Sequence, residues 1–238
     1  MRNSQIILLL VGVIMSAFPA YSAEDPKFIE ARKKMVERHL KGRDITDPKV
    51  LEVMGRVPRQ EFVDPSRRDD AYKDRPLPIA EGQTISQPYI VALMTQVLRI
   101  QPGEKVLEVG TGSGYQAAVL AELTDKVYSI EIIESLAKEA AERLKRLGYP
   151  NIRVKHGDGY LGWEEEAPFD AIIVTAAAGH IPPALIAQLK EGGRLVMPVG
   201  STRFSQTLTL ITKKSGKTGS TDLGAVSFVP LTGEVEKK

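Results

Sequence analysis

The chain changes hydrophobic rhythm three times. It begins with one unbroken apolar run, "IILLLVGVIM" at residues 6–15. A helical period follows: "DPKFIEARKKMVERHLKGR" spaces Phe28, Ile29, Met35, Val36 and Leu40 along one face, with charges filling the other. "TDPKVLEVMGRV" repeats the pattern, and there Asp47 suits an N-cap and Pro48 the first helical position. The next passage, residues 57–88, is rich in proline and charge and shows neither period. Irregular stretches of that length inside a compact domain are usually functional or disordered.

From Lys105 strands and helices take turns. "KVLEV", "KVYSIE", "IRVKHGD" and "FDAIIVTAA" read as strands, with helices predicted over "YQAAVLAEL" and "SLAKEAAERLKRLG". Short β-branched runs separated by helical stretches mean βαβ units, hence a doubly wound, Rossmann-like α/β fold with a mostly parallel sheet and helices on both faces. A helix over "PPALIAQLK" and a strand over "GRLVMPVG" continue the alternation. The tail predicts two strands, "QTLTLITKK" and "GAVSFVPL", around a polar turn "SGKTGSTD", an antiparallel pair closing the sheet. No internal repeat is present. The expected organisation is a leader over 1–23 and a single domain over 24–238, in which 24–100 form a helical preface with a substrate loop and 101–238 an α/β core that binds a cofactor.

Composition narrows the classes. At 238 residues, 42% of them hydrophobic and 26% charged, the chain can bury a real core. Its 32 Lys and Arg against 30 Asp and Glu leave a formal net charge of +2, so no basic footprint argues for nucleic acid. The opening run, preceded by Arg2 and followed by "AFPAYSA" with small residues at Ala20 and Ser22, has the three regions of a secretory signal, with cleavage expected near Ser22 or Ala23. An uncleaved anchor and a start codon placed upstream of the true one in a cytosolic protein are the two other readings. The absence of cysteine fits either redox compartment.

The candidate chemistry begins at "VLEVGTGSGYQAAVLAEL", where Gly110, Gly112 and Gly114 follow the first core strand. In a doubly wound sheet this turn is where a nucleotide-like ligand lies, and bare backbone lets its atoms approach. A dinucleotide fingerprint would need glycine where Tyr115 stands, and no Lys followed by Ser or Thr closes the loop as a P-loop requires. Glu131 ends the second core strand about 20 residues on, where a carboxylate accepts hydrogen bonds from two ribose hydroxyls. Asp158, in "HGDG", has glycines on both sides that would admit a planar base, although Asp and Gly favour turns for local reasons as well. Ser86 precedes a helix with Pro88 in its first turn, and backbone N–H groups there favour an anion; the plainer reading is a helix cap. His180, in "AAAGHIP", is expected as a loop residue at the edge of the pocket. His39 and His156 have no metal-ligand spacing.

The motif "EVGTGSG" resembles motif I of the S-adenosylmethionine-dependent methyltransferases. "VPRQEFV", "GQTISQPYIVALMTQVL", "FDAIIVTAAAGHIP", "RLVMPVG" and "FVPLTGE" together are similar to the protein-L-isoaspartate O-methyltransferase family over residues 33–234. That resemblance implies methyl transfer from S-adenosylmethionine to the free α-carboxylate of L-isoaspartyl residues in damaged proteins, followed by collapse of the ester to a succinimide. It implies cofactor binding by Glu108, Gly110, Thr111, Gly112, Gly114, Glu131, Asp158 and Gly159, with Asp158 on the adenine amino group. It also implies catalysis by Ser86, with Gln83 and Thr84 on the substrate beside it. A carboxylate is already ionised at neutral pH, so no general base is expected, and the histidine spacing gives no reason to expect a metal. The expected partners are isoaspartyl proteins and peptides, with no nucleic acid, and membrane contact only if the leader is retained. The working unit is expected to be a monomer, periplasmic or otherwise exported if the leader is used and cytoplasmic if not. A methyltransferase for small molecules and a nucleotide-binding scaffold are the competing readings. The first leaves "GQTISQP" without a reason, and Glu131, Asp158 and Ser86 together argue against the second.

Overall fold

The computed structural model describes residues 24–201 and 205–237, so the expected leader, 1–23, lies outside the described residues. The preface folds first in sequence as α1 (Pro26–Met35), continued by a π-helical turn (Val36–Lys41), and α2 (Pro48–Met54). Asp47 caps α2 through its side chain, which accepts from the N–H groups of Lys49 and Val50, with Pro48 in the first turn. The irregular passage after it winds through short 3-10 turns and a two-residue antiparallel pairing of β1 (Leu77–Pro78) with β2 (Thr84–Ile85). It ends at α3 (Pro88–Leu98), whose eight buried residues make it a core helix rather than a surface one.

The core then alternates: β3 (Lys105–Val109), α4 (Tyr115–Ala121), β4 (Lys126–Glu131), α5 (Glu134–Arg146), β5 (Ile152–His156), β6 (Phe169–Val174), α6 (Pro183–Gln188), β7 (Leu189–Val199), β8 (Gln206–Lys214) and β9 (Lys217–Val226). The seven-stranded sheet runs β5-β4-β3-β6-β7-β8-β9. Strands β5 to β7 pair parallel, and β8 and β9 antiparallel. Helix and sheet faces pack into two cores, one including the preface, α3 and α4, the other on the opposite face around Trp163, Phe169 and Leu185. The sheet and its antiparallel end are the fold the alternation predicts.

Two local expectations fail. The polar stretch "SGKTGSTD" is not a turn but most of β9: the reversal takes only Ser215 and Gly216, both with positive φ. As the last strand of the sheet β9 keeps most of its side chains in solvent, so no apolar alternation marks it. Strand β7 also begins at Leu189, inside the stretch read as helix and before "GRLVMPVG".

Candidate active site

Strand order reverses between β3 and β6, since the chain passes from β3 to β4 on one side and returns to β6 on the other. Ligands of open α/β sheets lie in the crevice at that switch, beyond the carboxyl ends of the strands. A cleft of about 900 Å³ opens there, lined by residues at the ends of β3, β4 and β6 together with residues 83–86 and 229–232. Three remote parts of the chain therefore close one space.

The glycine loop is bare for more than one reason. Gly110, Gly112 and Gly114 all have positive φ, at 95°, 51° and 88°. A Cβ at Gly110 would collide with the Thr175 hydroxyl, and one at Gly114 would sit 3.3 Å from Leu144. Those two positions are glycine because of protein neighbours. Gly112 differs, because its nearest neighbour would be Ile79 Cδ1 at 3.5 Å, leaving the close approach expected of a ligand. Gly159 reaches the cleft as well, and there a Cβ would strike Val109.

The carboxylates divide sharply. Glu131, 6% exposed, accepts from Gly112 N at 2.8 Å and from Ile133 N at 3.0 Å, so one side chain fixes both the glycine loop and the entry to α5 while facing the cleft. Glu108 is fully buried in the same wall. Its Oε2 accepts from the Ser129 hydroxyl, which meets Thr111 Oγ1 at 2.5 Å, whereas Oε1 has no hydrogen-bond partner. Burial pushes its carboxyl up to about 8, against the pull of Ser129 and with a further push from Glu131. Asp158 is not brought into the cleft lining: its oxygens accept from Tyr160 N at 2.9 Å and Glu234 N at 2.7 Å, capping a 3-10 turn and tying down the C-terminal segment. Any contact with a ligand must use lone pairs those bonds leave over.

Gln83, Thr84 and Ser86 all line the cleft. A second cavity of about 1030 Å³ shares Thr84, Ser86, Thr175 and Val229 with it, so Ser86 stands where the two meet. Gln87, not Ser86, occupies the N-cap of α3 and makes no side-chain cap. The N–H groups expected to welcome an anion are partly taken, because the Asp74 carboxylate accepts from Tyr89 N at 3.0 Å and from Gln87 Nε2 at 2.8 Å. The Ser86 hydroxyl has no hydrogen-bond partner among the described residues. His180 is exposed, with its Nε2 3.0 Å from the Tyr160 hydroxyl, and lines neither cavity. His156 meets Ile132 O at 3.1 Å. No group of three or more His, Asp or Glu that could hold a metal occurs among the described residues.

Sequence reasoning missed Tyr115, Gln116, Thr175 and residues 229–232 as lining. Thr175 donates to Gly110 O at 2.7 Å across 65 residues, and only tertiary pairing brings it there. The sole early sign of the C-terminal contribution was the motif "FVPLTGE".

A Rossmann-like sheet with its glycine loop and acidic strand end facing one cleft at the switch point defines a nucleotide-type binding fold of the methyltransferase class. The description protein-L-isoaspartate(D-aspartate) O-methyltransferase attaches to a family profile that matches residues 30–236, and the chain belongs to that family. It is 54% identical to the protein-L-isoaspartate O-methyltransferase 2 of Syntrophobacter fumaroxidans, over 98% of each chain. It is also 54% identical to the protein-L-isoaspartate O-methyltransferase of Opitutus terrae, over 95% of this chain and 97% of that one. Among solved structures, the Plasmodium falciparum protein-L-isoaspartate O-methyltransferase in complex with S-adenosyl-L-homocysteine superposes with a TM-score of 0.74 at 32% identity, over 84% of this chain and 98% of that one.

Proposed function

We propose that the inner cleft holds S-adenosylmethionine, that the outer cavity holds the isoaspartyl polypeptide, and that Ser86 aligns the carboxylate between them. The activity is that of the family: methyl transfer to the α-carboxylate of L-isoaspartyl residues, which starts their repair. The residues fit the cofactor, since Gly112 leaves room for close approach and Glu131 ends its strand at the ribose position. When bound, the cofactor supplies an electrophilic methyl on a sulfonium that departs as a neutral thioether. The acceptor carboxylate arrives ionised, so the protein's task is orientation and exclusion of water. In the ester so formed, the neighbouring main-chain amide nitrogen attacks the carbonyl carbon and methanol leaves, giving the succinimide. The adenine end belongs beside Gly159, with Asp158 contributing through what its two backbone bonds leave free.

Among the described residues, neither cavity has a Lys, Arg or His in its lining, and the only acidic lining residues are Glu108, which burial keeps protonated at neutral pH, and Glu131. This supports a site in which the bound sulfonium is itself the counter-ion of the carboxylate, because a protein cation in direct contact would blunt the nucleophile. The observation that carries the reading is the unpartnered Ser86 hydroxyl at the junction of the two cavities. Ser86→Ala should cut labelled-methyl transfer into an isoaspartyl peptide on the order of a hundredfold, by analogy with loss of one aligned donor in a dry site. Affinity for S-adenosylhomocysteine should stay within a few-fold, and the aspartyl twin of the peptide should accept nothing from either protein. Parental turnover per folded molecule would defeat the assignment.

The leader supports export. Cell fractionation with N-terminal sequencing of the mature protein should find it outside the cytosol, starting near Ala23 or Glu24. A cytosolic protein beginning at Met1 would refute this.

A further inference from the structure

A buried cation lies one layer behind the site. Arg59 is fully buried, yet no carboxylate forms a salt bridge with it among the described residues. Its Nε donates to Ala71 O at 2.7 Å and its Nη2 to Ser86 O at 2.8 Å, while Nη1 has no hydrogen-bond partner. The guanidinium lies over the Tyr115 ring, 4.8 Å from its centroid, and Tyr115 and Ser86 both line the inner cleft. Burial lowers its pKa to about 10, which still leaves it charged at neutral pH. An isolated buried cation is expensive unless something compensates it. Among the described residues Tyr115, Tyr72 and the Asp74 carboxylate push back against burial, yet the pKa still ends below the ordinary arginine value.

We infer that Arg59 is a positioning residue for the substrate carboxylate, fixing Ser86 by its main-chain carbonyl and placing a positive charge behind the serine without touching the nucleophile. The inference rests on the reading of Ser86 above and extends it. Direct ion pairing would stabilise the carboxylate most in the ground state, where methyl transfer gains nothing from it. A cation held behind one residue still favours entry of an anion into a cavity whose lining, among the described residues, has no cation. The grip on the carbonyl also sets the serine's backbone while leaving its hydroxyl free.

The grip is braced from the other side. Gln60, next to Arg59, accepts from the Tyr72 hydroxyl and donates to Glu24 Oε1 at 2.7 Å. Tyr72, next to Ala71, accepts from Arg32 Nη1 at 3.1 Å, and Arg32 holds Glu24 with two bonds of 2.8 and 2.7 Å. Both main-chain neighbours of the Arg59 contacts are thus clamped.

The test compares Arg59→Lys, which keeps the charge but cannot reach both carbonyls as a fork, with Arg59→Met, which keeps only the stem. Initial rates with an isoaspartyl peptide, S-adenosylhomocysteine calorimetry and thermal melts are taken on each. Loss of a hydrogen bond to a charged group is worth roughly tenfold or more, so KM for the peptide should rise by about that factor in Arg59→Lys. It should rise further in Arg59→Met, with cofactor affinity within twofold of the parent in both. A merely structural arginine would lower melting and leave KM per folded molecule unchanged, and that result would overturn the inference. If neither variant folds, Tyr72→Phe decides, since it leaves Arg59 in place and removes only a bracing hydroxyl. A raised peptide KM with parental cofactor affinity sustains the inference, and a parental KM overturns it.

Discussion

At the scale of single residues, Glu108 is the most consequential side chain whose protonation the fold changes. An unfolded glutamate titrates near 4.5, and burial moves this one to about 8. Between those values the folded chain holds the extra proton, so its stability falls as pH rises, by up to about 1.4 kcal/mol per pH unit, and flattens above the folded value. Glu108→Gln removes that dependence. In urea denaturation of the ligand-free proteins at pH 5.5, 7 and 8.5, the variant should show a shallower decline and exceed the parent at the highest pH. Identical pH profiles would mean that Glu108 is ionised within the fold. The glycines give a second prediction, because each is bare for its own reason. Gly110→Ala should lower melting sharply through the collision with Thr175, whereas Gly112→Ala should stay folded, at about 1–2 kcal/mol of left-handed strain, and lose S-adenosylhomocysteine affinity first. Normal affinity in Gly112→Ala would mean that the ligand does not approach that backbone.

At the scale of elements, legibility in the sequence followed burial. Strands β3 and β6 are buried on both faces and stand out as apolar runs, and α2 announced itself through Asp47 and Pro48. Strand β9 stayed hidden because its side chains meet water, so threonine, serine and glycine gave it the composition of a turn. The helix α3 shows the same limit at its start. Its cap comes from Asp74, 15 residues upstream of Tyr89, and only the folded loop between them makes the pairing visible. Arg43 contacts the same carboxylate at 3.5 Å and stacks over the Tyr89 ring at 3.3 Å from its centroid. Asp74→Ala should therefore cost about 1 kcal/mol of stability, the usual penalty for a lost cap, while leaving S-adenosylhomocysteine binding intact, as paired melts and titrations would show. Weakened cofactor binding in this variant would mean that the α3 terminus reaches the inner cleft.

At the scale of the whole molecule, the site is a junction of chain segments that the sequence keeps far apart. The glycine loop and Glu131 were readable from spacing, and residues 83–86 from family resemblance. The C-terminal wall was not readable as a wall, since its place depends on contacts formed only in the fold. Ala177 N donates to Val229 O at 2.8 Å, Leu231 N to Ala177 O at 2.7 Å, and Glu234 N to Asp158 at 2.7 Å. These bonds stitch residues 229–234 across the ends of β5 and β6, where they roof the cleft. A ligand that touches all three segments binds only the folded chain, and at a hundred times its Kd it should add about 2.7 kcal/mol of stability. For a domain of this size that corresponds to a rise of roughly 5–10 °C in Tm. Deleting residues 229–238 should leave the sheet standing, because every named strand precedes the cut, but should remove one wall of the cleft. The truncated protein should then melt cooperatively, with most of the S-adenosylhomocysteine-induced rise gone. A full ligand-induced shift after truncation would show that the C-terminal segment covers the cofactor without binding it, and the roof would have to be reassigned to the polypeptide side of the site.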